Sequence, residues 1–294
     1  MDYISLYTDF LKKHADMKRP MSVVCDSSNG ATGKILERLL PELGLKDFTL
    51  INANPDPEFP AHGPNPLLPG VLDQLSNVVL EKKADFGVAF DADGDRAFFV
   101  DEKGTILSSI SIGALLFRYS KAPFVADELV YQAHHHMKLF KHQELHPSRV
   151  GVFFIKQVMK QIQATTGAEF SGHFYYNDFF GADSGIFTLI RMLSILSTIP
   201  ETLSEFCASL PAHIVKNIDL KIEGKNWDEL KKKIIEIYTL KEAVIEQREG
   251  ITIQMPNGWV NIRPSNTEPI LRIYAGAENE AASDALVEEI QALV

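Results

Sequence analysis

The sequence predicts layered α/β structure followed by a smaller α+β region. Three observations carry that reading. Short β-rich runs alternate with amphipathic helical stretches as far as about residue 200, the pattern of helices packed on sheets. From about residue 213 the strands cluster and are linked by hairpins instead. The chain has 294 residues, 45% of them hydrophobic and 23% charged, enough for two or three separate cores.

The elements follow in order. Tyr3, Ile4, Tyr7, Phe10 and Leu11 recur with helical spacing over residues 2–14. MSVVCD (21–26) is a strand, SSNGATG a polar Gly-rich loop and KILERLLPELG a helix, which together make one α/β unit. FTLINA (48–53) is a strand, and PDPEFPAHGPNPLLPG (55–70) is too rich in Pro to be anything but loop. A helix over PGVLDQLSNVVLEKK and a strand ADFGVAF (84–90) lead into DADGDR, and AFFVDEKGTIL reads as a hairpin turning at Lys103-Gly104. After a helix at about 110–120, ELVYQA (128–133) reads as a strand and HHHMKLFKHQ as a helix. A further helix starts within 149–163, and EFSGHFYYN (169–177) is a strand with a polar loop. DSGIFTLIRMLSILSTI (183–199) is a strongly apolar helix. Beyond 213 come HIVKNIDLKIEG, a helix over 227–239, strands on either side of a Pro-Asn-Gly turn at 256–258, TEPILRIYAGA and a final helix over 280–293.

Composition narrows the function. Lys and Arg number 29 against 39 Asp and Glu, a net charge of −10, which argues against nucleic acid or an anionic membrane as the main partner. Two cysteines, Cys25 and Cys207, make neither a disulfide framework nor a zinc cluster, and a reduced, cytoplasmic setting is expected. The N-terminal residues carry scattered charge without the apolar core of a signal peptide. No apolar run reaches the roughly 18 residues that a membrane span needs. His134-His135-His136 reads as a polar helix face.

Three loops carry chemistry. Asp91, Asp93 and Asp95 stand at i, i+2, i+4 directly after an apolar strand, so their carboxylates can converge on a hard cation such as Mg²⁺. Glu102 at the twelfth position gives an EF-hand appearance, but Arg96 stands where that loop needs Gly, and the flanks read as strands. Arg96 places a fixed positive charge beside the cation, which suits a transferring phosphoryl group. In EFSGH, Glu169, Ser171 and His173 fall on one face if the segment is extended, a set suited to a polyol, and His173 can relay a proton near neutral pH. Arg263-Pro-Ser-Asn-Thr-Glu-Pro269 sits between strands; Arg263, Ser265, Asn266 and Thr267 crowd donors into a stiff turn fit for an anion, most naturally phosphate.

Together these motifs resemble the α-D-phosphohexomutases, the phosphomannomutase/phosphoglucomutase enzymes. DADGDR is similar to their metal loop, EFSGH to their sugar-binding loop and GWVNIRPSNTEPILR to their phosphate-binding loop. NPDPEFPAHGPNPL and the helix DYISLYTDFLKK resemble further family stretches, all in family order. The resemblance implies two α/β domains with mixed sheets, at 1–120 and 121–208, and a C-terminal TBP-like α+β domain at 209–294. It implies Asp91, Asp93 and Asp95 as Mg²⁺ ligands and Arg96 beside the transferring group. Glu169, Ser171 and His173 would hold the sugar, with His173 also assisting proton transfer. Arg263, Ser265, Asn266 and Thr267 would grip the phosphate that is not reacting. Arg149, in a stretch where the family has Thr-Lys/Arg-x-Gly-His, would also bind substrate, although Val152 stands in place of that His.

The family's phosphoserine loop, of the type T-A-S-H-N-P, is not found among the 294 residues. SSNGATG matches instead the ordinary opening of the family's second domain. The expectation is therefore a phosphohexomutase-type protein acting on mannose or glucose 1-/6-phosphate whose serine-bearing domain, of roughly 150 residues, comes from elsewhere, such as a separate chain. The alternative is a non-catalytic phosphosugar-binding or regulatory remnant.

Overall fold

The computed structural model describes residues 2–222, 226–265 and 268–294. Asn266 and Thr267 of the anion loop lie outside the described residues. Along the chain the elements run α1 (Tyr3–Lys12), β1 (Ser22–Asp26), α2 (Gly33–Leu39), β2 (Asp47–Ile51), α3 (Asp73–Lys82), β3 (Phe86–Phe90), β4 (Ala97–Asp101) and α4 (Ser109–Arg118). Then follow β5 (Phe124–Asp127), α5 (Glu128–His136), β6 (Leu145–Ser148), α6 (Val152–Ile162), β7 (Thr166–Ala168), β8 (Phe174–Tyr176), β9 (Ala182–Asp183), α7 (Gly185–Thr198) and α8 (Leu203–Ser209). The last stretch is β10 (Ile214–Lys221), α9 (Trp227–Leu240), β11 (Val244–Glu246), β12 (Ile251–Met255), β13 (Gly258–Pro264), β14 (Ile270–Ala277) and α10 (Glu280–Gln291).

These elements group into two compact units, each assembled from two stretches of chain. The first comprises Met1–Phe124 with Lys156–Leu210, the second Val125–Ile155 with Pro211–Val294.

In the first unit the sheet order is β2-β1-β3-β4. β1 pairs parallel to β2 and to β3, and β4 returns antiparallel to β3. The chain winds one way from β1 to β2 and back across β1 to β3. The crevice beyond the carboxyl ends of β1 and β3 is therefore a topological switch point, where open α/β sheets place their ligands. β3 and β4 are buried throughout. α3 lays Leu75 and Val79 on the sheet, against Val24, Ala89, Phe98 and Val100. β3 and β4 flank the acidic loop as strands, as the sequence indicates. The same unit carries β7, β8 and β9, paired antiparallel in that order, and the buried helix α7.

In the second unit α5 follows β5 directly. This corrects the expectation of a strand over 128–133: the strand is Phe124–Asp127, and Glu128 already begins the helix. Asp127 caps it, its side chain accepting from the Val130 N–H at 2.9 Å. His134 in the last turn of α5 is fully buried, so the His134-His135-His136 run is not wholly a polar face. The sheet of this unit's C-terminal part runs β10-β14-β13-β12-β11 among the described residues, antiparallel in each pairing. The β12–β13 hairpin turns at Pro256-Asn257, with Met255 opposite Gly258. α9 and α10 cover it with Ile234, Tyr238, Leu286 and Ile290.

Candidate active site

The acidic loop of the first unit is built from both sides. Asp91, 1% exposed, follows the buried strand β3. Its Oδ1 accepts from the N–H groups of Gly94 at 3.1 Å and Arg96 at 3.2 Å, and its Oδ2 takes the Arg96 Nε at 2.5 Å. Arg96 is thus held against the first aspartate of the loop. Asp93 is exposed and Asp95 half-buried. One oxygen from each of Asp91, Asp93 and Asp95 lies within 4.8 Å of the others. An all-oxygen donor set of that size fits a hard cation such as Mg²⁺. Without one, burial first, and then the neighbouring Asp91 and Asp93 charges, push the Asp95 carboxyl up to about 6, although His173 pulls it the other way.

The SSNGATG loop that follows β1 braces this arrangement. Ser28 Oγ donates to the Phe90 carbonyl at 2.6 Å, and the Ala31 N–H donates to the Ala92 carbonyl at 2.8 Å. Ser27 and Ser28 are buried. A Cβ on Gly30 would lie 2.4 Å from the Ala92 oxygen, so glycine permits the two loops to touch.

The Glu169–His173 segment differs from the extended form that places its side chains on one face. It is a tight turn between β7 and β8: the Gly172 N–H donates to the Glu169 carbonyl at 3.1 Å, and the Glu169 N–H to the His173 carbonyl at 2.9 Å. Gly172 has φ +94 and lies against the Phe98 ring, a conformation and a space that suit glycine. The Ala97 N–H donates to the Gly172 carbonyl at 3.1 Å, which ties the turn to the end of the acidic loop.

This tie brings His173 to the acidic group. His173 Nδ1 is 2.9 Å from Asp183 Oδ2 and 3.7 Å from Asp95 Oδ1. Burial alone would lower the His173 pKa; the hydrogen bond to Asp183 and the charges of Asp95 and Glu169 outweigh it and raise it. Glu169 is 1% exposed and accepts the Tyr175 hydroxyl at 2.5 Å. Burial and the adjacent Glu169 keep that phenol protonated. Ser171 is half-buried in the same turn.

Two participants of this group escaped the sequence reading. Asp183 precedes the cap of α7, and nothing in its local pattern marks it as the partner of His173. Tyr175 stands two residues beyond His173 in an apolar strand and reads as core.

The second unit holds the anion loop. Arg263, on β13, donates through Nη1 to Glu249 Oε1 at 3.2 Å, and the Ser265 N–H donates to the Ile270 carbonyl at 2.9 Å, closing the base of the loop. Arg149, in the connection from β6 to α6, has Nε 3.7 Å from Glu249 Oε2 and its guanidinium 4.3 Å from the centre of the Phe154 ring. Arg149 and Arg263, read separately from the sequence, therefore meet at one carboxylate that the sequence reading did not single out.

Three family models match: phosphoglucomutase/phosphomannomutase alpha/beta/alpha domain II over residues 2–104, alpha/beta/alpha domain III over 124–214, and the C-terminal domain over 217–293. A phosphomannomutase of Methanocaldococcus jannaschii is 31% identical over 290 residues, covering 97% of this chain and 63% of its own length. The structure of a phosphoglucomutase/phosphomannomutase family protein from Burkholderia thailandensis superposes with a TM-score of 0.85 at 24% identity, over 99% of this chain and 64% of that one. That of Aspergillus fumigatus N-acetylphosphoglucosamine mutase, in complex with GlcNAc-6P and magnesium, gives 0.67 at 16% identity, over 99% and 68%. The chain thus spans 63% of the length of the archaeal phosphomannomutase.

Proposed function

Because the chain belongs to the phosphoglucomutase/phosphomannomutase family, we propose that it supplies the metal, sugar and phosphate sites of a phosphohexomutase. The reaction is Mg²⁺-dependent transfer of a phosphoryl group between the 1- and 6-positions of mannose or glucose phosphate. The phosphoserine carrier comes from outside these 294 residues. The observation that carries the reading is the convergence of the Asp91, Asp93 and Asp95 carboxylates, with His173 held beside them by Asp183.

Asp91, Asp93 and Asp95 hold the Mg²⁺, which when bound neutralises charge on the phosphoryl group. Arg96 adds a fixed cation at the same loop. His173, hydrogen-bonded through Nδ1 to Asp183, directs its Nε2 side to a sugar hydroxyl and moves the proton there. Glu169 and Ser171 orient the sugar. Arg149, Arg263, Ser265, Asn266 and Thr267 fix the non-reacting phosphate, so that one end of the hexose is anchored while the other reacts. The A. fumigatus enzyme's complex with a hexosamine phosphate and magnesium supports this substrate class.

The test is a coupled assay of hexose 1-phosphate to 6-phosphate conversion, with a separately prepared serine-bearing domain of a related mutase added. Turnover that depends on both pieces and on Mg²⁺ is the expected result. No turnover at any ratio, with both pieces folded, would overturn the catalytic reading, and hexose phosphate binding without turnover would leave the binding protein.

A further inference from the structure

Glu249 lies at the turn between β11 and β12, where both its backbone and its side chain are held. The backbone is fixed by Asn261, fully buried on β13, whose Nδ2 donates to the Glu249 carbonyl at 2.8 Å and to Thr252 Oγ1 at 2.9 Å. Gly250, at φ +67, brings the turn against β13 so closely that a Cβ would lie 2.2 Å from the Ile262 carbonyl and 2.7 Å from the Arg263 Cβ. The Glu249 side chain is 16% exposed. One oxygen accepts from Arg263 Nη1 at 3.2 Å; the other accepts from the Val150 N–H at 3.4 Å and lies 3.7 Å from Arg149 Nε.

We propose that Glu249 is a positioning residue that sets Arg149 and Arg263 side by side as one two-armed receptor for the phosphate of the sugar. This rests on the anion-loop reading given above. Two guanidinium groups brought together repel each other, and a carboxylate between them offsets that repulsion. A guanidinium has five N–H donors, so one contact to Glu249 leaves each arginine with a free edge. The three groups sum to a charge of +1, still attractive to a phosphate dianion. Arg149 is 54% exposed and lies 100 residues before Glu249 in the chain, so among the described residues the Phe154 ring contact is what constrains its guanidinium once the carboxylate is gone.

The experiment is calorimetric titration of the full chain with glucose 6-phosphate and with inorganic phosphate. Glu249→Ala weakens glucose 6-phosphate binding by about tenfold, the scale of a lost charged hydrogen bond. Glu249→Gln, which keeps an acceptor oxygen, loses about threefold. In an Arg149→Ala background the effect of Glu249→Ala shrinks to less than about threefold, because the two act through one receptor. Binding by Glu249→Ala that equals or exceeds that of the unsubstituted chain overturns the proposal, since the carboxylate would then be idle or would compete with phosphate. An undiminished effect in the Arg149→Ala background, accompanied by a lowered melting temperature, assigns Glu249 to packing and overturns it too. Arg263→Ala separates the two levels. If it binds glucose 6-phosphate as the unsubstituted chain does, the anion-loop reading itself fails and takes the proposal with it; if it loses binding while Glu249→Ala does not, only the positioning role fails.

Discussion

Asp95 and His213 show how the charge a single residue carries depends on its surroundings. Asp95 stands among Asp91, Asp93 and Asp183 on one side and His173 on the other. Asp95→Asn replaces one of three converging carboxylates with a neutral amide, a weaker ligand for a dication; Mg²⁺ affinity, measured by titration calorimetry, should fall by at least about tenfold. His213 is the opposite case. Burial first, and the nearby His136 and His134 next, push its imidazole down to about 4, and among the described residues neither ring nitrogen has a hydrogen-bond partner. The folded state therefore prefers the neutral ring, while the unfolded chain takes up a proton near 6.5. Its contribution is fully present above pH 6.5 and is lost as pH falls towards 4. With the ring partly exposed, the loss is about 2 kcal/mol. Unfolding in urea at pH 7.5 and pH 4.5 checks this: His213→Leu should flatten the difference. The aspartates were legible in the sequence because all three lie within five consecutive residues. Asp183 and Glu249 were not, because their partners lie 10 residues away and, for Glu249, 14 and 100 residues away, with only the folded backbone to unite them.

Among elements, the clearest reading was of those with a strong period or punctuation, such as α7 and the Pro-Asn-Gly hairpin. The segment 128–133 misled because ELVYQA is a short apolar run that fits strand and helix alike. The deciding signal was Asp127, whose side chain caps the helix, and the strand before it is only four residues long. The Glu169–His173 turn misled for a different reason: alternating polar residues suggest a strand, but Gly172 reverses the chain among them. The start of α7 is where an element bears on the site. A Cβ on Gly185 would lie 2.7 Å from the Arg96 carbonyl and 2.8 Å from that of Gly94. Gly185→Ala must push α7 away from the acidic loop. The expected result is a loss of about 2–3 kcal/mol in chemical unfolding, together with weaker Mg²⁺ binding. Ser184→Ala, which removes the cap to the Phe187 N–H and the 3.3 Å hydrogen bond with the Tyr7 hydroxyl, should cost about 1–2 kcal/mol and spare the metal.

At the scale of the molecule, neither unit is a continuous stretch of sequence, and this is the level at which pattern reading has least to say. Periodicity locates helices and strands but carries no record of which distant stretch completes a core. In the second unit the two stretches are joined by a polar network. Arg248 donates to Glu128 at 2.5 Å, Gln132 to the other Glu128 oxygen at 3.0 Å, and Gln254 to Gln132 at 3.1 Å. Glu128 is 2% exposed. Arg248→Met leaves that carboxylate buried without its cation, which should cost about 3 kcal/mol in a thermal or urea melt; Glu128→Gln with Arg248→Met should recover much of it.

The interleaved chain also bears on the protein's birth. At roughly 5–20 residues per second on the ribosome, residues 125–155 emerge several seconds before 211–294, which complete their core. During that interval α5, whose Leu129, Val130 and Ala133 are buried in the folded chain, lacks the neighbours that β13 and β14 later provide. Apolar surface left open on a half-made unit of this kind favours aggregation until the later strands arrive.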